Sequence, residues 1–299
     1  MSTPTIASPL EQTPERILRH LEWHVVRRLD GLLQGNYRSL FHGHGLDFAE
    51  LREYQHGDDI RYIDWNVTAR LDAPYIRSYL EERDVPAWFL VDLSPSVDFG
   101  GKRQRTIELV AVLARLLNRL GNRTGAMFYD GRALRVTPLG SGRAHILRLI
   151  NDLMSYPRPA RAPFTDLTPL FTTALAAFKR RSLAFVISDF ISAPGWEQAL
   201  SRLNQRHEVL VIRLWDPQEV ELPELGLVVM EDAETGEQIV VDTSDRSLRR
   251  RFEEAARQRE AELNIAFKRA AVDVLAISTT EDLVGALAGF AARRQYRRR

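Results

Sequence analysis

Two groups of oxygen-bearing side chains lie where the sequence predicts strands to end. Asp92, Ser94 and Ser96 form an Asp-x-Ser-x-Ser motif at the end of one long apolar stretch, and Asp189 follows a later apolar stretch. The carboxyl ends of parallel strands meet at one edge of an α/β sheet, and ligands bind there. Carboxylate and hydroxyl oxygens, without His or Cys, are the donors that Mg²⁺, Mn²⁺ or Ca²⁺ prefer. The sequence therefore predicts a site for one hard divalent cation.

The elements that must position these side chains follow a regular alternation from residue 86 onward. Apolar stretches typical of buried strands alternate with amphipathic segments typical of helices, which predicts a sheet covered on both faces. The predicted strands are 87–93, 125–129, 134–136, 183–187, 209–214 and 272–277, the predicted helices are 105–120, 145–154, 167–180, 196–205 and 247–267, and a last helix follows. A hairpin is predicted over 227–230 and 238–241. The predicted fold class is α/β, with a doubly wound, mostly parallel sheet.

The chain before residue 86 follows a different pattern. Residues 1–13 are polar and contain several prolines, which predicts a disordered start, and apolar spacing predicts a helix from Pro14 to about residue 33. Residues 36–83 lack periodicity, which predicts loops with short strands, the last over 75–80. We therefore divide the chain into a disordered N-terminus (1–13), a helix with a partly β extension (14–85), an α/β domain (86–292) and an Arg-rich tail (293–299).

Composition excludes several classes of function. Of the 299 residues, 41 are Lys or Arg and 40 are Asp or Glu, so a net charge of +1 gives no global attraction to nucleic acid or anionic lipid. The chain has no Cys, which excludes thiolate nucleophiles and thiolate metal ligands. No apolar run approaches the roughly 18 residues of a membrane span, and the N-terminus has no signal-peptide pattern. We expect a cytoplasmic protein without nucleic-acid partners or membrane spans.

The strand-end motif resembles a known binding site. Asp-x-Ser-x-Ser after the first apolar strand, with an Asp after a central strand, is similar to the metal-ion-dependent adhesion site of von Willebrand factor A domains. The resemblance implies that Ser94 and Ser96 ligate the ion directly. It implies that Asp92 and Asp189 hold the ion mostly through water, and that the sixth coordination position is left for a partner's carboxylate.

The same resemblance implies a third hydroxyl ligand, Thr165, from a loop before a helix. The family usually has Gly immediately before this Thr, whereas this chain has Pro163-Phe164. Because of this departure, Asp166 is the alternative ligand from the same loop.

A second resemblance covers the segment upstream. The sequence LREYQHGDDIR at 51–61, with IDWN at 63–66 and EERD at 81–84, is similar to the bacterial family named domain of unknown function 58. Together with the A-domain pattern, the resemblance spans roughly residues 35–280. It implies a cytoplasmic, non-enzymatic partner protein, commonly associated with MoxR-type AAA+ ATPases.

Three functions remain open at this point. The first is a metal-dependent protein-interaction module, serving a MoxR-type ATPase, whose ion accepts a partner's Asp or Glu. The second is a hydrolase, because oxygen-rich metal sites also activate water. Against it, we expect no His or Lys near the strand ends to act as a general base. The third is a structural scaffold with a vestigial site.

Other polar clusters are expected to be structural. The acids from Asp58 to Asp64 alternate with Arg, which is typical of loops fixed by charge-assisted hydrogen bonds, and Trp65 is expected to anchor packing. His42, His44 and His56 lack the regular frame of a transition-metal site. The Arg run at 293–299 is typical of a solvated chain end.

Overall fold

The structure, a computed structural model, describes most of the chain. The described residues are 13–29, 50–55, 60, 63–71, 73–78, 85–158, 164–232 and 235–296. Residues 1–12 of the predicted disordered start therefore lie outside the described residues, as do His42, His44, His56, Asp58, Asp59 and the last three arginines.

A six-stranded sheet forms the centre of the fold. Its strands are β3 (Ala87–Asp92), β4 (Thr124–Tyr129), β5 (Leu134–Gly140), β6 (Leu183–Ser188), β7 (Glu208–Trp215) and β10 (Asp273–Ser278). They lie in the order β10-β7-β6-β3-β4-β5, and every neighbouring pair is parallel except β4 and β5. The predicted mostly parallel α/β sheet is confirmed.

Helices cover both faces of this sheet. They are α3 (Lys102–Arg119), α4 (Arg143–Met154), α5 (Thr168–Ala177), α6 (Trp196–Arg206), α7 (Arg246–Ala270) and α8 (Leu283–Tyr296). Alternate strand residues point to opposite faces, so one apolar core forms against α3, α4 and α8 and a second against α5, α6 and α7. The sheet is therefore doubly wound, as predicted.

The N-terminal extension contributes to the first core. Helix α1 (Pro14–Leu21) begins after Thr13, whose side chain accepts a hydrogen bond from the Arg16 N–H, and it continues into a π-helical turn over Glu22–Val26. Buried Leu18 and other apolar residues of α1 join the core formed with α3 and α4. The predicted start of this helix at Pro14 is confirmed.

Two short strands and a helix lie between α1 and the main sheet. Strands β1 (Glu50–Glu53) and β2 (Tyr75–Ser78) pair antiparallel, and α2 (Trp65–Leu71) lies between them in the chain. We predicted loops with short strands here, so α2 is an addition. The side chain of Asp64 caps α2, because it accepts a hydrogen bond from the Val67 N–H at 3.3 Å. The expectation that Trp65 anchors packing is wrong, since its side chain is 70% exposed.

Two features lie after β7 in the sequence, a hairpin and the last helix. Strands β8 (Leu227–Glu231) and β9 (Gln238–Asp242) form the predicted hairpin as a separate two-stranded sheet. The Arg-rich tail does not begin at residue 293, because α8 extends to Tyr296. Arg294 is buried and binds the carboxylates of Glu208 and Asp273. In the part of the chain that the structure describes, no helix is long and apolar enough to span a membrane.

Candidate functional site

The two predicted strand-end acids lie where the direction of winding changes. Helix α3, after β3, packs on one face of the sheet, and α6, after β6, packs on the other. Adjacent strands whose connections leave on opposite faces form a crevice at their carboxyl ends. Asp92 is the last residue of β3 and Asp189 immediately follows β6, so both acids reach this crevice.

Asp92 is held by both strands of the crevice. One of its carboxylate oxygens accepts a hydrogen bond from the Ser94 N–H at 2.9 Å, and the other accepts one from the Ser188 hydroxyl at 2.6 Å. Ser188 in turn accepts a hydrogen bond from the Phe190 N–H, which fixes the turn after β6. The turn that carries Ser94 is therefore tied to the acid that precedes it and to the neighbouring strand.

The two serines of the motif form a hydrogen bond whose length is also compatible with paired metal ligands. Ser94 Oγ and Ser96 Oγ are 3.1 Å apart, and both side chains are buried. Two adjacent ligands of an octahedral Mg²⁺ ion, each at about 2.1 Å, are about 3.0 Å apart. The observed separation therefore fits the predicted direct ligation by both hydroxyls.

Thr165 lies in a loop that is tied to the turn after β6. Its side chain is buried, and its carbonyl oxygen accepts hydrogen bonds from the Ala193 N–H at 2.8 Å and the Ser192 hydroxyl at 3.0 Å. Asp166, the alternative loop ligand, accepts a hydrogen bond from the N–H of Thr168, the first residue of α5. The choice between the two as a ligand stays a prediction.

Phe164 adopts a backbone conformation that favours glycine. Its φ angle is +41°, in the left-handed region, and its side chain is 77% exposed. The sequence departs from the A-domain pattern at this position, because Phe stands where that family usually has Gly. Phe164 thus takes the left-handed conformation that glycine would adopt more readily.

A buried lysine contacts the second acid. Lys102, the first residue of α3, is 0% exposed, and its ammonium group donates a hydrogen bond to Asp189 at 2.6 Å and another to Glu219. The other carboxylate oxygen of Asp189 accepts a hydrogen bond from the Ile191 N–H at 3.0 Å. Our expectation that no Lys lies near the strand ends is therefore wrong.

The charge state of Lys102 decides what it can do. Burial lowers the pKa of Lys102, but the carboxylates of Asp189 and Glu219 outweigh this effect and leave the pKa above its ordinary value. Lys102 therefore remains an ammonium ion at neutral pH. A general base must accept a proton, and a protonated lysine cannot.

The pKa of Asp92 is raised as well, but for a carboxyl group this favours the neutral form. Burial, followed by the negative charge of Asp189, raises the pKa of Asp92 from 3.8 to about 7, although hydrogen bonds from Ser188 and Ser94 act against this rise. The ionised form of Asp92 is therefore costly in this crevice unless a cation compensates it. A divalent cation would supply that compensation.

These observations test whether the site suits a hard cation. Ser94, Ser96 and Asp92 fit, because their oxygens are buried, held in place and of the chemical type that Mg²⁺ prefers. Both carboxylate oxygens of Asp189 are already occupied, one by Lys102 and one by the Ile191 N–H, which favours an indirect role for Asp189 over direct contact with the ion. No cluster of three or more His, Asp or Glu residues of metal-binding type occurs among the described residues.

Sequence reasoning missed Lys102 and Glu219. A signal for Lys102 was present, because α3 begins with Lys-Arg-Gln-Arg and has no acid in its first turn. Cations are disfavoured at the positive end of a helix dipole, so a helix that begins with them needs carboxylates from elsewhere in the fold. The sequence does not reveal which carboxylates these are.

Known proteins resemble this chain in sequence. A family model described as "Protein of unknown function DUF58" matches residues 50–262. The uncharacterized protein Rv1480 of Mycobacterium tuberculosis (strain ATCC 25618 / H37Rv) is 35% identical over 283 residues, which cover 93% of this chain and 89% of that protein. The uncharacterized protein MAV169 of Mycobacterium avium is 32% identical over 158 residues, which cover 53% of this chain and 93% of that protein.

Solved structures show weaker similarity. The conserved hypothetical protein BatB from Bacteroides thetaiotaomicron has a TM-score of 0.45 at 15% identity, covering 71% of this chain and 99% of that one. The SpRpn10 VWA domain has a TM-score of 0.36 at 14% identity, covering 68% of this chain and 93% of that one.

Proposed function

We propose that this chain, which belongs to the DUF58 family, is a metal-dependent protein-interaction module. The observation that carries the proposal is the buried pair of hydroxyls, Ser94 Oγ and Ser96 Oγ, which lie 3.1 Å apart beside the fixed carboxylate of Asp92. Ser94, Ser96 and Thr165 are the proposed direct ligands, and Asp92 and Asp189 are the proposed supporting acids. When bound, the ion would offer an open position to a carboxylate of the partner.

The choice of ligands explains why a carboxylate is the expected partner group. The hydroxyls of Ser94, Ser96 and Thr165 are neutral, and Lys102 already compensates the charge of Asp189. Little negative charge therefore remains in the crevice to offset a divalent cation. An external Asp or Glu gains strong attraction in such a partly desolvated site.

Binding is favoured over hydrolysis for a related reason. A hydrolase needs a group that takes a proton from water; the carboxylates hold Lys102 in its protonated form, and both carboxylate oxygens of Asp92 already accept hydrogen bonds from Ser94 and Ser188. We therefore propose that the site has no catalytic residues, and a metal-dependent hydrolase is the alternative. A scaffold with a vestigial site is the third candidate, and metal binding separates it from the first two.

A MoxR-type AAA+ ATPase is the proposed partner, because the upstream motifs resemble a family commonly associated with such ATPases. We propose the cytoplasm as the place of this encounter, which suits a chain without Cys. The ion is proposed to be Mg²⁺, with Mn²⁺ and Ca²⁺ as substitutes of the same ligand preference.

The test compares two buried serines. Ser94→Ala removes a proposed ligand, whereas Ser182→Ala removes a buried hydroxyl at the opposite end of β6, where it donates only to the Arg180 carbonyl. Calorimetry with Mg²⁺ and Mn²⁺ should show binding to the wild type and to Ser182→Ala but not to Ser94→Ala. Capture of a MoxR-type ATPase should be lost in Ser94→Ala and on addition of a chelator.

Each candidate has its own signature in these measurements. Capture that persists in chelator would favour the scaffold. Metal-dependent turnover of a generic phosphate ester or peptide substrate, abolished by Ser94→Ala, would favour the hydrolase. Equal Mg²⁺ binding by Ser94→Ala and Ser182→Ala would refute the ligand assignment.

A further inference from the structure

A second cavity adjoins the crevice and shares one of its walls. It has a volume of about 410 Å³, within the usual range for ligand pockets. Asp189 and Glu219, the two carboxylates joined by Lys102, line it on the side of the crevice. Trp215 and Ala276 line it from the sheet, and Ala256 lines it from α7.

The cavity lies between α7 and the carboxyl-terminal end of strand β7. Nearer the start of β7, on the same face of the sheet, Val211 of β7 and Phe267 of α7 belong to the second core. Farther along β7, the side chains on this face are Arg213 and Trp215, and both line the cavity. The walls there also include Ile191 and Val220, so much of the surface is apolar.

One polar group in this wall lacks a partner. Arg213 binds Glu260 through its terminal nitrogen at 2.5 Å, but its Nε–H is buried and has no acceptor among the residues that the structure describes. A buried donor without an acceptor is costly, and a ligand's carbonyl or carboxylate oxygen would relieve that cost.

The charges around the cavity also favour an acceptor. Lys102 is paired with both Asp189 and Glu219 and so compensates one of their two negative charges, and Arg213 is paired with Glu260. Two further arginines, Arg257 and Arg259, line the cavity from α7. The cavity thus combines apolar walls with cationic donors.

We infer that this cavity receives a large apolar side chain of the partner, close in sequence to the acidic residue that reaches the ion. This inference rests on the proposed function, because the shared wall at Asp189 lets one short segment occupy both places. A peptide supplies both groups that the cavity lacks, an apolar side chain for the walls and a backbone carbonyl for Arg213. The cavity then selects among acidic segments that the ion alone would not distinguish.

The experiment uses three blocked tripeptides as probes. They are acetyl-Asp-Ala-Trp-amide, acetyl-Asp-Ala-Ala-amide and acetyl-Asn-Ala-Trp-amide, and their binding to the full chain is measured by NMR titration in Mg²⁺ and in chelator. We expect the Asp-Ala-Trp peptide to bind at least about tenfold more tightly than Asp-Ala-Ala, because the Trp ring leaves water. We also expect its methyl shifts to include Ile191 and Ala276.

Filling the cavity provides the matched variant. Ala276 is exposed on the edge strand β10, so Ala276→Phe extends into the cavity without displacing the core, and Ala177→Phe adds the same ring at the distant end of α5. Ala276→Phe should remove the preference for Trp and leave Asp-Ala-Ala binding unchanged, while Ala177→Phe should change neither. Val220→Phe fills the cavity from the opposite wall and serves if Ala276→Phe does not fold.

The outcomes separate this inference from the proposed function. Equal, Mg²⁺-dependent binding of Asp-Ala-Trp and Asp-Ala-Ala overturns the cavity's role and leaves the metal site standing. Equal binding of Asp-Ala-Trp and Asn-Ala-Trp, unaffected by chelator, overturns both the proposed function and the link between ion and cavity. Absence of binding by all three peptides also overturns the inference.

Discussion

Asp92→Asn should stabilise the metal-free protein at high pH and remove its response to Mg²⁺. The substitution keeps the shape of the side chain and removes its charge. Burial and the charge of Asp189 raise the pKa of Asp92 from 3.8 to about 7. A raised carboxyl pKa contributes stability that is complete below the unfolded-state value and is lost as the pH rises through 7.

The magnitude follows from the two pKa values. Their difference corresponds to about 4 kcal/mol at 1.36 kcal/mol per pH unit, and the part lost between pH 5 and pH 8 is about 3 kcal/mol. The asparagine variant lacks this loss. In chelator, the free energy of unfolding of the wild type should therefore fall by about 3 kcal/mol relative to that of Asp92→Asn between pH 5 and pH 8. At pH 8, Mg²⁺ at about a hundred times its Kd should add about 2.7 kcal/mol to the wild type only.

Urea unfolding of both proteins at pH 5 and pH 8, with chelator or Mg²⁺, measures these differences. The control is Asp282→Asn, which changes an exposed acid. The difference in free energy of unfolding between this variant and the wild type should not change on addition of Mg²⁺. A constant gap between wild type and Asp92→Asn from pH 5 to pH 8 would refute the raised pKa. Equal stabilisation of both by Mg²⁺ would remove Asp92 from the metal site.

Three further substitutions test other parts of the structure. Asp64→Ala removes the cap of α2 and should lower urea stability by about 1 kcal/mol while Mg²⁺ calorimetry stays unchanged; lost Mg²⁺ binding in a folded variant would contradict a purely structural role. Lys102→Met leaves two carboxylates without their cation and should cost about 3 to 5 kcal/mol in thermal unfolding, and wild-type stability would contradict this. Phe164→Gly removes the cost of a left-handed backbone at a non-glycine residue, which is about 1 to 2 kcal/mol. The glycine adds a conformational entropy cost of about 0.5 to 1 kcal/mol on folding, so the melting temperature should not fall. A clear fall would show that the exposed ring stabilises the loop.

Features that depend on residues close together in the sequence could be predicted from the sequence. Strand-end positions of Asp92 and Asp189 follow from apolar runs of the length of one strand, and the alternation of strands and helices predicts the doubly wound sheet. The missed helix α2 has only seven residues and no amphipathic repeat to reveal it. Its one local signal was Asp64, a residue type that caps helices, immediately before it.

Features that depend on distant residues were not predictable. The ion pairs of Lys102 join residues 87 and 117 positions apart, and no local pattern specifies either partner. The position of Arg294 is similar, because a run of arginines is typical of a chain end until the fold brings Glu208 and Asp273 beside it. The left-handed conformation of Phe164 is likewise not one that its residue type favours, so it could not be predicted from the residue itself.

The long separations between the partners of Lys102 have a consequence for how the protein acquires its binding site. Contacts that close loops of 87 and 117 residues form slowly, because chain entropy must be lost before they stabilise anything. Folding intermediates that lack the β6 and β7 half of the sheet can have the serine turn but not the buried ion pairs. During synthesis on the ribosome, the crevice can therefore be completed only after Glu219 has left the exit tunnel.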